Sequence, residues 1–150
     1  MKTASKNGPF NIFAEAQTLI EFYDLDPMQI VWHGNYINYF EIGRRKLLEL
    51  IGYSYREMEA SGYAFPVVDL SVKYIRPLQL GNIALIKAIL VEYENCLKIN
   101  YEIYNMESEV LTTKGSSTQM TYNIKTMESC FACPEILIDK IKALMEITKS

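Results

Sequence analysis

The chain has 150 residues, 49% of them hydrophobic, which is enough for a single domain over residues 1–150 whose core needs no disulfide or metal. Its 18 acidic residues outnumber its 15 basic ones and no long basic run is present, so we expect no nucleic-acid partner. The apolar stretches are too short to span a membrane and the N-terminal residues lack the apolar run of a signal peptide, so we expect a cytoplasmic protein.

The first predicted elements are one strand and one long helix. Residues 14–23 mix strand-forming and polar residues, and the predicted strand ends where residues 24–27, Asp-Leu-Asp-Pro, interrupt regular pairing. From Tyr36 to Ile51 apolar residues recur at helical spacing. Asn35 is the predicted N-cap of this helix, and Gly52 is the predicted left-handed residue after its last turn. Because its apolar side chains point in several directions, we expect the helix to be largely buried.

The rest of the chain is predicted to be mainly β-structure. After a short helix or turn at residues 53–62, strands are predicted at residues 64–74, 83–93, 97–104 and 110–124, and a last helix at residues 134–147. A strand, a long helix and about four further strands with short connections are typical of an antiparallel sheet wrapped around a central helix. The sequence therefore predicts an α+β fold with a sheet of about five strands and a C-terminal helix.

Several familiar catalytic signatures are absent from the sequence. It contains no G-x-S-x-G elbow, no P-loop and no G-x-G-x-x-G fingerprint, which excludes the common serine hydrolases, nucleotide hydrolases and Rossmann-type oxidoreductases. Cys130 and Cys133 have the C-x-x-C spacing, but a structural zinc site needs four ligands and the chain could add only Cys96 and His33. We therefore expect incidental thiols and no metal or redox cofactor.

The segment from Asp24 to Tyr36 combines two acidic residues, the only histidine and a helix start. A carboxylate can activate water or attack a carbonyl, and free N–H groups at a helix N-terminus can stabilise the oxyanion that develops. The same residues also suit a simple turn, in which Asp24 and Asp26 bond nearby backbone amides before Pro27. Spacing alone favours the turn, and it does not decide whether His33 is structural or catalytic.

Two sets of motifs carry a resemblance to a known family. The first set is FYDLDP at residues 22–27, IVWHGNY at residues 30–36 and YFE at residues 39–41, and the second is VVDL at residues 67–70 and YIRP at residues 74–77. In these motifs the sequence resembles the 4-hydroxybenzoyl-CoA thioesterase family of hotdog-fold proteins, in particular its short bacterial acyl-CoA thioesterase branch. The resemblance covers residues 14–124 and implies a hotdog fold that hydrolyses acyl thioesters without a cofactor.

The resemblance also implies a site. It identifies Asp26, rather than Asp24, as the catalytic carboxylate, acting as nucleophile or as general base for water. It assigns the oxyanion donor to the backbone N–H of His33, and the His33 imidazole is a second candidate for polarising the carbonyl or orienting the carboxylate. The residues expected to contact the substrate, some of them from a partner subunit, are Ile30, Val31, Trp32, Gly34, Asn35, Tyr36, Val68 and Asp69.

One feature departs from the family pattern. Relatives commonly have glycine at the position of Gln29 and often a small residue at Met28. Because glycine reaches backbone conformations that glutamine adopts only at a cost, we expect the loop after Asp26 to be tighter or differently bent. The departure concerns rate and substrate fit more than the class of reaction.

The resemblance leaves substrate and assembly partly open. It implies a homodimer or homotetramer whose sheets join edge to edge, with each site built from two chains. It also implies acyl-CoA as the substrate, or an acyl group on acyl carrier protein. Residues 44–46, Lys73 and Arg76 do not separate these two, because they could meet either the phosphates of CoA or an acidic carrier surface. A non-catalytic acyl-binding module and a hotdog dehydratase or hydratase are the alternatives of a different class.

Overall fold

The computed structural model describes residues 6–149. Its helices are α1 (Asn35–Ile51), α2 (Tyr55–Ser61) and α3 (Glu135–Lys149), and a short 3₁₀ turn spans Phe22–Asp24. Its strands are β1 (Phe13–Leu19), β2 (Tyr63–Ala64), β3 (Val67–Tyr74), β4 (Ile83–Glu92), β5 (Leu97–Asn105), β6 (Leu111–Gln119), β7 (Thr121–Asn123) and β8 (Glu128–Cys130).

The strands form one large and one small antiparallel sheet. The large sheet has five strands in the order β1-β4-β5-β6-β3, and the small one has the order β2-β7-β8. Helix α1 packs against β1, β4 and β5, so the large sheet wraps around it. The predicted α+β class, the five strands around a long helix and the C-terminal helix are confirmed.

The core lies between α1 and the inward face of the large sheet. Alternate residues of β5 point inward, and Leu97, Ile99, Tyr101 and Ile103 are buried. The Phe40 ring of α1 stacks on the Tyr101 ring, with centroids 4.4 Å apart and planes at 9°. Burial of α1 is confined to one side, since Ile37 and Leu50 are exposed. The helix is therefore more amphipathic than expected, and its other side is free for further contacts.

Two predicted strands each divide into two elements. The prediction at residues 64–74 separates into β2 and β3, because Pro66 has no N–H to donate and the chain changes sheets there. The prediction at residues 110–124 divides at Met120, where β6 leaves the large sheet and β7 pairs with β2. Strand β1 ends at Leu19 rather than at residue 23, because the 3₁₀ turn begins at Phe22.

No helix in the part of the chain that the structure describes combines the length and the apolar character needed to cross a membrane.

The stack of Phe40 on Tyr101 gives a test of the core. Phe40→Ala should lower the free energy of unfolding by about 3–5 kcal/mol, because it removes a fully buried ring and leaves a cavity. Urea denaturation followed by circular dichroism measures the change. The control Phe131→Ala removes a ring that is 85% exposed and should change the stability by less than about 0.5 kcal/mol. A loss below about 1 kcal/mol for Phe40→Ala would contradict this role.

Candidate active site

The loop before α1 is a small hairpin that carries Asp26. The Trp32 N–H donates to the Asp24 carbonyl at 2.9 Å, and the Asp26 N–H donates to the Ile30 carbonyl at 2.8 Å. Residues 27–29 form the turn between these two arms. The backbone on both sides of Asp26 is therefore fixed by hydrogen bonds before any ligand is present.

The two aspartates of this hairpin have different surroundings. The Asp24 carboxylate accepts the Glu21 N–H at 2.8 Å and closes the 3₁₀ turn. The Asp26 carboxylate accepts the Met28 N–H through Oδ1, also at 2.8 Å. Both aspartates thus make the turn contacts that spacing alone predicted. Only the Asp26 side chain also lines a cleft, so the candidate carboxylate is Asp26.

Gln29 has a left-handed backbone with φ of 68°. This is the conformation that glycine adopts freely and that a residue with a Cβ adopts at a cost of about 1–2 kcal/mol. The turn therefore holds a glutamine in a backbone form that suits glycine, and Gln29 carries the strain. The expectation that the loop is tighter or differently bent than in relatives stays a prediction.

The start of α1 has backbone donors that no protein group uses. The Asn35 N–H donates to the Trp32 carbonyl at 2.9 Å, whereas within residues 6–149 neither the His33 N–H nor the Gly34 N–H donates a hydrogen bond. The predicted N-cap role of Asn35 is wrong. Its side-chain amide donates to the Asp24 carbonyl at 2.8 Å, because α1 begins at Asn35 itself and the amide reaches back to the hairpin.

Gly34 lies directly against the Trp32 ring. A Cβ at Gly34 would lie 2.4 Å from that ring, so any other residue would force the half-exposed indole to move. The indole therefore covers the backbone between the hairpin and α1. Trp32 and Gly34 act here as packing partners rather than as lining of the cleft.

A cleft of about 300 Å³ lies between the hairpin, the helix start and the segment after β3. Its lining residues are Asp26, Met28, Ile30, Val31, His33, Tyr36, Tyr74, Ile75, Arg76 and Pro77. The structure thus brings together five of the residues expected at the site: Asp26, Ile30, Val31, His33 and Tyr36. The site prediction omitted Tyr74, Ile75 and Pro77 and named Arg76 only as a possible phosphate contact, although this YIRP segment was one of the motifs that carried the resemblance.

The other expected residues lie outside this cleft. Trp32, Gly34 and Asn35 shape the hairpin and the helix start but do not line the cavity. Val68 and Asp69 are exposed on β3, beside the irregular pairing between Val67 and Asp69. Their expected contacts are with a substrate bound to a partner subunit, so their assignment stays a prediction.

Tyr36 lines the cleft and Tyr39 lies beside it on α1, and both side chains are buried. Burial raises the pKa of Tyr36, and the Leu78 backbone and the Thr113 side chain partly offset that rise. Burial also raises the pKa of Tyr39, and the nearby Asp24 carboxylate raises it further. Both phenols therefore stay protonated near neutral pH and add no negative charge beside the cleft.

The basic residues divide between structural and accessible positions. Arg44 is buried on α1, where its guanidinium pairs with Glu41 and hydrogen-bonds with the Tyr55 hydroxyl. It faces the interior because its helical position matches that of Phe40, so it is not available for the expected phosphate contact. Arg76 lines the cleft and is exposed, which keeps it as a candidate for that contact.

The cysteines show no feature of a reactive site. Cys96, Cys130 and Cys133 are all free thiols. Burial raises the pKa of Cys133 to about 11 and also raises that of Cys96, which disfavours the thiolate form at both positions. Within residues 6–149, no group of three or more His, Cys, Asp or Glu side chains could hold a metal ion.

The strain at Gln29 can be measured. Gln29→Gly should leave the free energy of unfolding unchanged or raise it by up to about 1 kcal/mol, because relief of the left-handed conformation offsets the greater freedom of the unfolded chain. Met28→Gly is the matched control, since Met28 has no positive φ, and it should lower stability by about 0.5–1 kcal/mol. Thermal and urea denaturation give both values, and equal losses in the two variants would refute the strain at Gln29.

Comparisons with known proteins identify the family of the chain. Residues 20–141 match the family described as the Thioesterase-like superfamily. Over 102 residues the chain is 33% identical to "Putative acyl-CoA thioesterase YneP" of Bacillus subtilis (strain 168), an alignment that covers 67% of this chain and 73% of that relative. Over 76 residues it is 34% identical to "Acyl-acyl carrier protein thioesterase ATL3, chloroplastic" of Arabidopsis thaliana, which covers 51% of this chain and 40% of that relative.

A solved structure agrees with this family over nearly the whole chain. The DHNA-CoA thioesterase from Staphylococcus aureus superimposes with a TM-score of 0.76 and 26% sequence identity, covering 92% of this chain and 96% of that one. The broader family is therefore confirmed, whereas the 4-hydroxybenzoyl-CoA branch named from the motifs stays a prediction. The chain belongs to the thioesterase-like superfamily and has the hotdog fold.

Proposed function

We propose that this thioesterase hydrolyses acyl-CoA to a free acid and CoA, with Asp26 as its catalytic carboxylate and the His33 backbone N–H as its oxyanion donor. One observation carries the proposal. The Asp26 carboxylate lines the same cleft as His33, and the His33 N–H has no hydrogen-bond acceptor within residues 6–149. A carboxylate and an unused donor beside one cavity are the two parts that acyl transfer to water requires.

The reaction follows from these two groups. The thioester carbonyl oxygen accepts the His33 N–H, and its carbon is attacked either by water that gives its proton to Asp26 or by the Asp26 carboxylate itself. Negative charge then develops on the carbonyl oxygen, where the donor stabilises it. The C–S bond breaks and CoA leaves as a thiolate, which takes its proton from Asp26 in the first route and from water in the second. In the second route, water cleaves the mixed anhydride and regenerates the Asp26 carboxylate.

The His33 imidazole has a supporting place in this scheme. The side chain is exposed, and its ring lies 5.3 Å from the Trp32 ring and 6.4 Å from the Tyr74 ring. The imidazole lines the cleft, and the backbone N–H of the same residue is the proposed oxyanion donor. Its proposed role is to orient the carbonyl or the carboxylate, second to the N–H.

CoA is the proposed carrier of the acyl group because Arg76 lies at the cleft. Its guanidinium matches the geometry of phosphate oxygens, which CoA supplies. The relative YneP is named as an acyl-CoA enzyme, whereas the relative ATL3 is named as an acyl-acyl carrier protein enzyme. A substrate panel that carries the same acyl group on CoA and on the carrier protein distinguishes the two carriers.

The Asp26 assignment is tested by thiol release from acyl-CoA substrates. Asp26→Asn should lower kcat/KM by at least about 10²-fold, because the amide cannot act as base or nucleophile. Asp24→Asn is the matched control. Its side-chain oxygen still accepts the Glu21 N–H, so kcat/KM should stay within about threefold of the wild type. Unchanged turnover by Asp26→Asn, or an equal loss in Asp24→Asn, would reject the assignment.

We further propose that two chains pair through β3 into a homodimer. This strand is an edge of the five-stranded sheet and exposes Val67, Val68 and Leu70. Exposed apolar edge strands are the natural sites for pairing with a second chain. A two-fold antiparallel pair would place the Val68 and Asp69 end of one strand beside the Tyr74 end of its partner. These residues could then complete the partner's cleft.

The dimer is tested by sedimentation velocity. Leu70→Lys should shift the protein from dimer to monomer and lower kcat/KM by about tenfold or more, because a charge on the paired edge opposes association. The control Leu80→Lys adds the same charge at a side chain that is 57% exposed and lies outside the strands, and it should stay dimeric and active. A monomeric wild type at assay concentration would contradict the proposal.

A further inference from the structure

Tyr74 joins the edge strand to the helix start. Its hydroxyl donates to the His33 backbone carbonyl at 2.8 Å, across 41 positions of sequence. Tyr74 is the last residue of β3, so this bond connects the end of the sheet to the residue before Gly34. No contact of this kind was expected from the sequence.

The bond fixes the peptide units on both sides of the His33 Cα. In the peptide unit between Trp32 and His33, the carbonyl oxygen accepts the Asn35 N–H. Because this peptide is trans, the His33 N–H points in the direction opposite to that carbonyl. In the next unit, the His33 carbonyl accepts the Tyr74 hydroxyl. The His33 N–H belongs to the first unit, and turning that unit changes the His33 φ angle. The second bond holds the plane on the other side of the Cα, so both bonds oppose a change in the direction of the His33 N–H.

The Tyr74 ring is held independently of its hydroxyl. It packs edge to face on the Tyr36 ring, with centroids 5.2 Å apart, and Tyr36 is itself buried. Edge-to-face packing of this kind adds about 0.5–1.5 kcal/mol beyond burial. A phenylalanine at this position should thus keep the ring in place and remove only the hydrogen bond.

We propose that Tyr74 is a positioning residue, whose hydroxyl holds the His33 peptide so that its N–H points at the thioester carbonyl oxygen. The inference rests on the proposed hydrolysis of acyl-CoA and adds a residue to it. Tyr74 acts through the His33 backbone, and no contact of its hydroxyl with substrate is required. Because oxyanion stabilisation depends on donor geometry, loss of the bond lowers the rate of the chemical step more than substrate binding.

The test compares Tyr74→Phe with the wild type in acyl-CoA hydrolysis and in amide hydrogen exchange without substrate. We expect kcat to fall by about tenfold with KM within about twofold, since the donor is misaligned rather than removed. Deuterium uptake by residues 32–35 should rise in the same variant, because the His33 carbonyl loses its partner. The control Tyr104→Phe removes a hydroxyl that donates to Glu102 at 2.8 Å on another strand, and both readouts should match the wild type.

The outcomes separate the two proposals. Wild-type protein that hydrolyses no thioester overturns the proposed function and the role of Tyr74 in it. Active wild type with unchanged kcat in Tyr74→Phe overturns only the positioning role. A raised KM at unchanged kcat would show that the hydroxyl binds substrate directly, and a lower kcat without faster exchange would show that it does not act through the His33 backbone. Either result also rejects the proposal.

Discussion

The carbonyl oxygen of Asp24 is the point on which the candidate site depends. It accepts the Trp32 N–H at 2.9 Å and the Asn35 side-chain amide at 2.8 Å, so it bonds both the returning arm of the hairpin and the first residue of α1. A carbonyl has two lone pairs, and both are used here. The hairpin that carries Asp26 and the helix that follows His33 therefore form one unit. A carboxylate and a backbone donor are held on the same side of a cleft by bonds that involve neither of them.

This unit is placed by the packing of α1 against the sheet. The stacked rings of Phe40 and Tyr101 fix the position of the helix against the sheet. One turn earlier, the Tyr36 ring packs edge to face against the Tyr74 ring at the edge of the sheet. The helix start therefore lies near the end of β3. The unused His33 N–H lies beside a cleft lined in part by the apolar side chains of Met28, Ile30 and Val31. A donor beside apolar surface has more effect on a developing oxyanion than it would in bulk solvent.

The sequence predicted the parts of this arrangement that local patterns encode. Helical spacing from Tyr36 to Ile51 and the alternation along β5 arise from short-range periodicity, and both elements were found. Strand order is not local, so nothing in residues 74–77 alone indicated that they lie across the cleft from Asp26. Asn35 illustrates a different limit, since its amide can donate as well as accept and the tertiary fold used it as a donor. The choice of Asp26 over Asp24 came from family resemblance, and the cleft contains only the former.

Strand β3 contributes both to the proposed contact between subunits and to the orientation of the backbone donor. Its free edge exposes the apolar residues of the proposed dimer contact, and its last residue holds the His33 carbonyl. Association at that edge would restrict the motion of β3, and with it the hydroxyl that orients the backbone donor. Subunit pairing would then affect the chemical step even if no partner side chain entered the cleft. This coupling between subunit pairing and the chemical step needs only one hydrogen bond, because Tyr74 at the end of β3 bonds directly to His33, the residue that supplies the oxyanion donor.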